Sequence, residues 1–209
     1  MTLSVGIYLF KNVEVLDFAG PFEVFTTASR VFLRRNPGKE VPFKVFAVAK
    51  TKSAVQARAG LMTLPDFSLL DCPSVDLLLV PGGVVDEEVQ DDEVIAWVRA
   101  TASTAQLTAS VCTGAFILAK AGLLDGKKAT THWEDIDDLR RQFPGIQVEA
   151  GVRWVDEGRV ISSAGIAAGI DMSLHLVARL AGSQLAEATA RQMDVPYCGD
   201  DLPPVNVRV

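Results

Sequence analysis

Hydrophobic and polar positions divide the chain into two kinds of segment that alternate along its length. Continuous apolar runs, the first at residues 3–10, are typical of strands buried on both faces of a parallel sheet. Other segments carry apolar residues at helical spacing, as at Phe22, Phe25 and Phe32. The predicted strands span residues 3–10, 41–48, 61–64, 76–80, 105–111, 129–131, 146–149, 152–155 and 160–162, with a turn at 67–70. The predicted helices span residues 18–32, 91–102, 113–121, 134–142, 167–180 and 185–193.

This alternation predicts an α/β fold, a three-layer α/β/α sandwich with a mostly parallel sheet, because helices that connect parallel strands cover the faces of the sheet. The chain has 209 residues and contains no repeat, linker or low-complexity segment. A length of this order suits one domain, so residues 1–209 are expected to form a single domain. The segment Pro203, Pro204 and Val205 is predicted to be irregular.

Composition argues against two classes of partner. Hydrophobic residues make up 49% of the chain and charged residues 22%, and the formal net charge is -6. Nucleic acids and anionic membranes need a basic protein face, so neither is expected as a direct partner. No basic segment precedes the first apolar run, and polar residues interrupt the longest one, so neither a signal peptide nor a membrane span is expected. We expect a cytoplasmic protein that acts on a small molecule.

Cysteine and histidine are scarce. The chain has three cysteines (Cys72, Cys112 and Cys198) and two histidines (His132 and His175). An odd number of cysteines without a C-x-x-C pair does not suit a disulfide framework. The histidine spacing does not suit a zinc site. We therefore expect a reducing compartment, and any catalytic chemistry must come from few residues.

Cys112 stands where a buried strand is followed at once by a helix of small residues. This is the layout of a nucleophile elbow, in which a tight turn exposes one side chain above the carboxyl ends of the strands. The following helix N-terminus is expected to lower the pKa of the thiol, and its free N–H groups to stabilise a developing negative charge. The alternative interpretation is a small buried core cysteine.

Pro81, Gly82 and Gly83 end the preceding strand. Glycines at this position let a backbone N–H approach a ligand, so Gly83 is a candidate oxyanion donor beside the N–H of Thr113. The alternative is a tight turn with no other role. The segment is not a dinucleotide-binding loop, because no G-x-G-x-x-G follows the first strand.

A nucleophilic cysteine needs a proton acceptor, and the chain offers three candidates. Asp17 follows the first strand and is expected on the same sheet edge as Cys112, unless it caps the next helix. Glu23 lies further inside that helix and suits a surface or packing role better. His132 either orients or deprotonates Cys112, or caps the helix that follows it. His175, in the middle of an apolar helix, is interpreted as a satisfied core or interface histidine.

Seven short motifs cover nearly the whole chain: GIYLF at 6–10, LDFAGP at 16–21, LVPGG at 79–83, SVCTG at 110–114, LLDG at 123–126, TTHW at 130–133 and AGIAAGID at 164–171. Together they resemble the DJ-1/PfpI superfamily, which has the class I glutamine amidotransferase-like (flavodoxin-like) fold. Within the superfamily the chain is most similar to bacterial isonitrile (isocyanide) hydratases, and it also resembles the N-terminal domains of AraC-type regulators.

The resemblance implies a lyase that adds water to an isonitrile and releases an N-substituted formamide. Cys112 would form a thioimidate with the substrate, and Asp17 would relay the protons. Thr113 would position the thiol or the water, and Gly83 would add a hydrogen-bond donor. The resemblance implies no cofactor and no metal, and it implies a homodimer with each active site near the subunit interface.

Departures from the superfamily pattern keep two alternatives open. PfpI-type proteases carry a histidine directly after the nucleophile, where this chain has Thr113. DJ-1-like sensors and glyoxalases use a glutamate near the first helix, for which Glu23 is the fallback. No helix-turn-helix segment follows the motifs before Val209, so a complete AraC-type regulator is not expected. The alternatives are a glyoxalase or amidase that uses Cys112 and His132, and a non-enzymatic thiol redox sensor or ligand-binding module.

Overall fold

The computed structural model describes residues 1–197 and residue 199, so Cys198 and the segment predicted to be irregular lie outside the described residues. The strands are β1 (Leu3–Leu9), β2 (Phe43–Ala49), β3 (Val55–Gln56), β4 (Met62–Thr63), β5 (Phe67–Ser68), β6 (Leu77–Val80), β7 (Leu107–Val111), β8 (Lys128–Ala129), β9 (Gln147–Val148), β10 (Trp154–Asp156) and β11 (Val160–Ser163). The α-helices are α1 (Val15–Arg35), α2 (Asp86–Gln90), α3 (Asp92–Thr104), α4 (Gly114–Lys120), α5 (Ile136–Gln142), α6 (Ala168–Ala181) and α7 (Ser183–Met193).

Seven strands form the central sheet in the order β10-β11-β7-β6-β1-β2-β5. Every neighbouring pair is parallel except β10 with β11. The central strands β6 and β7 are buried along their whole length, as a sheet covered on both faces requires. Helices α1, α6 and α7 contact one another in one layer, and α2, α3 and α4 contact one another in the other. The predicted α/β sandwich with a mostly parallel sheet is confirmed.

The structure differs from the predicted elements mainly at the edges of the fold. The segment predicted as a turn at 67–70 supplies the short edge strand β5, which pairs with β2. Helix α1 begins at Val15 rather than at residue 18, so Pro21 lies inside it. The sequence pattern also missed α2 and β3, because elements of five and two residues are too short to show a period. Among the described residues no helix has the length and apolar character needed to cross a bilayer.

The parallel arrangement brings the ends of β1, β6, β7 and β11 to one edge of the sheet. The loop after β1 pairs with the loop after β6 through a bridge between Val13 and Gly83 and a 2.8 Å hydrogen bond from Glu14 N to Gly82 O. The N–H of Cys112, directly after β7, donates to the carbonyl of Ser163 at the end of β11 at 3.1 Å. Four strand ends therefore converge around Cys112.

Candidate active site

Cys112 lies at the sharp turn between β7 and α4. Its φ is 57°, a left-handed conformation that costs a non-glycine residue roughly 1–2 kcal/mol. The carbonyl of Cys112 accepts a 2.8 Å hydrogen bond from the hydroxyl of Thr131, and its N–H is paired with Ser163, so the turn is held from both sides. The residue is 8% exposed. A strained residue held this firmly at a strand end is typical of a functional site.

Two glycines let the turn pack against the end of β6. A Cβ added to Gly82 would lie 2.6 Å from the backbone N of Thr113 and 2.8 Å from Cβ of Cys112. A Cβ added to Gly114 would collide with the carbonyl oxygen of Val80 and lie 2.8 Å from that of Pro81. Both positions need the absence of a side chain, because the atoms in the way belong to the backbone or to the turn itself.

Asp17 is a fully buried carboxylic acid in the first turn of α1. Its Oδ2 accepts a 3.1 Å hydrogen bond from the N–H of Gly82, while Oδ1 has no hydrogen-bond partner. The side chain does not cap the helix, since the N-cap position belongs to Glu14. The alternative capping role for Asp17 is therefore wrong, and the carboxyl is aimed at the loop beside Cys112.

Burial raises the pKa of Asp17 from its ordinary value of 3.8 to about 7, and the negative charge of Glu14 adds to the rise. The hydrogen bond from Gly82 and the proximity of the Cys112 thiol and of Arg58 lower the pKa, but they do not offset burial. The carboxyl and the thiol are near enough to influence each other's protonation, although they do not form a hydrogen bond of normal geometry. Asp17 is thus poised to gain or lose a proton near neutral pH.

The pKa of the Cys112 thiol is raised, opposite to the direction expected from the sequence. Burial is the largest cause, followed by the negative charge of Asp17. The N–H and hydroxyl of Thr113 lower the pKa, as groups at a helix N-terminus should, but they do not outweigh burial. The resting cysteine is therefore a neutral thiol, and making it a nucleophile requires a base.

Thr113 and Gly83 bind each other. The hydroxyl of Thr113 donates to the carbonyl of Gly83 at 2.9 Å and accepts from the N–H of Gly83, also at 2.9 Å. The expected role of Gly83 as a free oxyanion donor is therefore corrected, because its N–H is already paired. Gly83 instead holds Thr113, whose own N–H faces the sulfur of Cys112.

His132 and Asp135 form the other side of the site. The N–H of Glu134 donates to Nδ1 of His132 at 3.4 Å, and Oδ2 of Asp135 lies 3.5 Å from the same nitrogen. The other edge of the His132 ring lies directly against Gly165, where an added Cβ would collide with the ring and lie 3.3 Å from the sulfur of Cys112. His132 therefore caps its short helix and also lines the site, so both roles considered for it remain.

Glu23 and His175 lie away from Cys112. Glu23 is exposed on α1, where it accepts from the hydroxyl of Thr27 at 2.9 Å and pairs with Arg30 at 2.6 Å. It does not line the pocket, so the fallback assignment of Glu23 as an accessory site residue is wrong. His175 Nε2 lies 2.7 Å from the carboxylate of Asp156, which confirms its interpretation as a satisfied histidine.

A pocket of about 370 Å³ opens above Cys112. Cys112, Thr113 and Gly83 are among the residues that line it, and the buried carboxyl of Asp17 lies next to this part of the lining, on the N–H of Gly82. The rest of the lining comes from six segments of the chain and consists of Glu14, Arg58, Val84, Val85, Asp86, Val89, Phe116, His132, Glu134, Asp135, Asp138, Gln142 and Ile166. Within the described part of the chain, no group of three His, Cys, Asp or Glu side chains is arranged to hold a metal ion.

The acidic walls were not predicted from the sequence. Asp86 belongs to the short helix α2, and Asp135 and Asp138 lie where the chain turns from a 3-10 helix into α5. Acidic residues in the first turn of a helix have an ordinary explanation in the helix dipole, so nothing in the sequence marks them as pocket residues. Only the tertiary arrangement brings these carboxylates together.

The model of the DJ-1/PfpI family matches residues 3–179. The chain belongs to this family. A solved structure of a ThiJ/PfpI family protein from Pseudomonas syringae superposes with a TM-score of 0.82 at 30% identity, covering 100% of this chain and 80% of that one. Drosophila melanogaster DJ-1beta shares the fold, with a TM-score of 0.78 at 23% identity over 94% of this chain and all of that one.

Relatives within the family have different named functions. Isonitrile hydratase from Pseudomonas putida is 35% identical over 195 residues, 93% of this chain and 79% of that protein. The transcriptional regulator GbdR of Pseudomonas aeruginosa is 31% identical over 88% of this chain, but the chain spans only about half of that regulator's length (48%). Deglycase PfpI of Pyrococcus furiosus is 27% identical over 59% of this chain and 71% of that enzyme. Family membership alone therefore does not determine the function.

Proposed function

We propose that this protein is a cysteine-dependent enzyme that adds water to an isonitrile and releases an N-substituted formamide. The observation that carries the proposal is the buried carboxyl of Asp17, whose pKa is about 7, beside the neutral thiol of Cys112. The chemistry needs a thiol and one group that both accepts and donates protons at neutral pH. The similarity to isonitrile hydratase over 93% of the chain supports this choice of substrate class.

The first half of the reaction forms a carbon–sulfur bond. The ionised carboxylate of Asp17 accepts the proton of the Cys112 thiol, and the sulfur attacks the terminal carbon of R–N≡C. The proton held by Asp17 is then delivered to that carbon, which gives the thioimidate R–N=CH–S–Cys112. The N–H of Thr113 stabilises the negative charge on sulfur before attack, because it favours the thiolate, while the Thr113 hydroxyl donates its one proton to the carbonyl of Gly83.

The second half uses water. Asp17, again ionised, accepts a proton from a water molecule whose oxygen bonds to the thioimidate carbon, and it passes that proton to the imine nitrogen, which gives R–NH–CH(OH)–S–Cys112. Collapse of this tetrahedral intermediate breaks the carbon–sulfur bond, releases R–NH–CHO and returns a proton to Cys112. Isonitrile and water are consumed in equal amounts, and the reaction requires no oxidant or reductant.

The proposal is tested by incubating the purified protein with aliphatic and aromatic isonitriles and measuring the formamide by mass spectrometry. We expect one formamide for each isonitrile consumed, and no comparable turnover of methylglyoxal, the comparison substrate for a glyoxalase. Unchanged isonitriles at high protein concentration would rule out the substrate class. Turnover of methylglyoxal that depends on Cys112 would favour the glyoxalase alternative.

The hydroxyl of Thr113 is expected to matter for catalysis because it joins the loop after β6 to the cysteine turn. Thr113→Val removes two hydrogen bonds and leaves the N–H and carbonyl of Gly83 unpaired, which should lower kcat/KM about 10- to 100-fold. Thr113→Ser keeps the hydroxyl and should retain most of the activity. Equal loss of kcat/KM in both variants, measured by steady-state kinetics, would contradict this role, because the hydroxyl that serine keeps would then not preserve activity.

If the protein were a redox sensor, Cys112 would oxidise faster than the other cysteines. The burial of Cys112 and the raised pKa of its thiol predict instead that Cys112 oxidises slowly. The pKa of Cys72 is raised only to about 11, and this residue is more exposed than Cys112. Because the thiolate is the form that peroxide oxidises, we expect Cys112 to be modified no faster than Cys72 at pH 7. Peptide mass spectrometry after mild peroxide treatment measures both sites. Selective conversion of Cys112 to its sulfinic acid would favour the sensor.

We propose further that the protein is a homodimer in which α1 contributes to the interface. Helix α1 leaves Leu16 and Phe22 about 40% exposed, and Leu16 lies near Ile170 of α6 across Gly20. Apolar side chains left exposed on α1 suit burial against a partner. Sedimentation analysis should give twice the chain mass of 22.4 kDa, and Phe22→Glu should shift the population toward monomer. A monomeric wild-type protein at micromolar concentration would contradict this arrangement.

A further inference from the structure

The pocket above Cys112 has a marked excess of negative charge. Among the described residues, five carboxylates line it and one guanidinium opposes them. The carboxylates belong to Glu14, Asp86, Glu134, Asp135 and Asp138, and the guanidinium to Arg58. An anion that enters this pocket must approach several like charges, whereas a cation gains attraction from them.

Ion pairs neutralise only part of this charge. Arg58 Nη1 lies 3.1 Å from Oε2 of Glu14, so the single guanidinium is already matched. Asp138 is paired with Arg141 at 2.6 Å. Asp86 has no ion pair within the described part of the chain, and Glu134 and Asp135 face only His132, at 3.6 and 3.5 Å. Three carboxylates therefore remain without a permanently charged partner.

The negative field extends to the reacting sulfur. Asp135 is among the causes that raise the pKa of the Cys112 thiol. The pKa of Asp135 is itself raised, first by burial and then by the charges of Asp138 and Glu134, while His132 lowers it. Asp138 and Glu134 therefore act on Asp135, and Asp135 acts on the thiol across the pocket, which full screening by water would prevent.

The pocket also offers apolar contacts, which favour an organic cation over a bare ion. Val84, Val89, Phe116 and Ile166 line it together with the carboxylates. A ligand with an ammonium group and a few methyl or methylene groups would satisfy both kinds of wall.

Resting on the proposed function, we infer that the preferred substrates are electrophiles with a positively charged substituent, above all isonitriles that carry an ammonium group. Neutral isonitriles are accepted less well, and anionic isonitriles of the same size are excluded. The carboxylates that impose this order are Asp86, Glu134 and Asp135, with Asp135 the one that acts most directly at the sulfur.

The inference is tested first without turnover, by the rate at which charged reagents modify Cys112. Three methanethiosulfonates serve as probes: the cationic trimethylammonioethyl, the neutral 3,3-dimethylbutyl and the anionic sulfonatoethyl compound. Mass spectrometry of the peptide that contains Cys112 gives each rate, which is divided by the rate for an unstructured peptide of the same sequence. We expect the normalised cationic rate to exceed the anionic rate about tenfold or more at low salt, with a smaller ratio at high salt.

Two single variants at nearby positions distinguish the effect of the pocket carboxylates on the modification rates from the effect of the protein's net charge. Asp135→Asn should lower the cation-to-anion ratio at least threefold. Asp137→Asn changes the net charge of the protein equally, but its side chain is 89% exposed and does not line the pocket, so it should leave the ratio unchanged. Equal effects of the two variants, or a wild-type ratio near one, would overturn the inference.

Steady-state kinetics then extend the test to the proposed reaction. The substrates are 2-isocyanoethyl-trimethylammonium, its carbon isostere 3,3-dimethylbutyl isocyanide, and the anion 3-isocyanopropanoate. We expect kcat/KM to fall in that order. Hydration of all three at equal rates would support the hydratase and overturn the charge preference. Charge-selective modification of Cys112 without hydration of any isonitrile would keep the preference and overturn the proposed reaction.

Discussion

Asp17→Asn is expected to abolish hydration while making the folded protein more stable above neutral pH. The amide keeps the shape of the side chain and still accepts from the N–H of Gly82, but it cannot carry the proton that the reaction must move. We expect kcat to fall at least 10³-fold, as measured by formamide production. In the wild type, kcat/KM should rise with pH and level off above about pH 7, where Asp17 is ionised.

The stability effect follows from the raised pKa. Asp17 ionises near pH 3.8 in the unfolded chain and near 7 in the folded protein, so between these values the unfolded state is increasingly favoured. The ionisation of Asp17 therefore lowers the free energy of unfolding. This loss is absent below about pH 4, grows as the pH rises, and is complete above pH 7, where it reaches roughly 1–4 kcal/mol. Asparagine removes the charge and therefore the loss.

Chemical denaturation at pH 4.5 and pH 8 measures this effect. We expect the free energy of unfolding of Asp17→Asn to exceed that of the wild type at pH 8 and to approach it at pH 4.5. Glu23→Gln, an exposed change on the same helix, serves as the control and should alter neither activity nor its pH dependence. An Asp17→Asn protein that is active, or equally destabilised at both pH values, would contradict the assigned role.

Gly114→Ala is expected to destabilise the protein by about 3 kcal/mol or more and to reduce activity with it. The added methyl group would collide with the carbonyl oxygen of Val80, which belongs to a fully buried strand and cannot move without displacing its neighbours. The turn that carries Cys112 would shift away from Gly82 and Asp17. Denaturant unfolding and formamide assays measure the two losses.

Gly145→Ala is the matched control for this substitution. A Cβ at Gly145 meets no atom within 4 Å, and the residue does not have a positive φ. Its free energy of unfolding should change by less than about 0.5 kcal/mol, with activity unchanged. Similar losses in both variants would show that the close approach at Gly114 is not what holds the cysteine turn.

The sequence predicted the positions of the site residues better than their protonation states and hydrogen bonds. A buried strand followed by Cys112 and a small-residue helix places the thiol at a strand end, and Asp17 after the first strand reaches the same edge by the rules of parallel sheets. The burial that raises both pKa values depends on packing by loops distant in sequence. The pattern around Gly83 indicated a close turn, but it did not show that the N–H of Gly83 donates a hydrogen bond to the hydroxyl of Thr113.

The acidic residues that line the pocket could not be predicted from the sequence for a similar reason. Asp86, Glu134 and Asp135 come from helical first turns, where acidic residues are common, and only the fold brings them over Cys112. Glu23, by contrast, is a candidate that the sequence offered and the fold places away from the pocket, since its side chain points outward toward Arg30. Element type and strand order follow from local pattern, whereas the direction of a side chain on a long helix depends on the neighbours it meets.

The most direct test of the proposed thiol–carboxyl reaction is the pH profile of formamide production by the wild type, Cys112→Ala and Asp17→Asn with a single neutral isonitrile. We expect a wild-type profile that rises through an apparent pKa near 7, with both variants at the level of the uncatalysed reaction at every pH. Formamide production by Cys112→Ala at the wild-type rate, or a wild-type profile that falls through neutral pH, would contradict the proposed reaction.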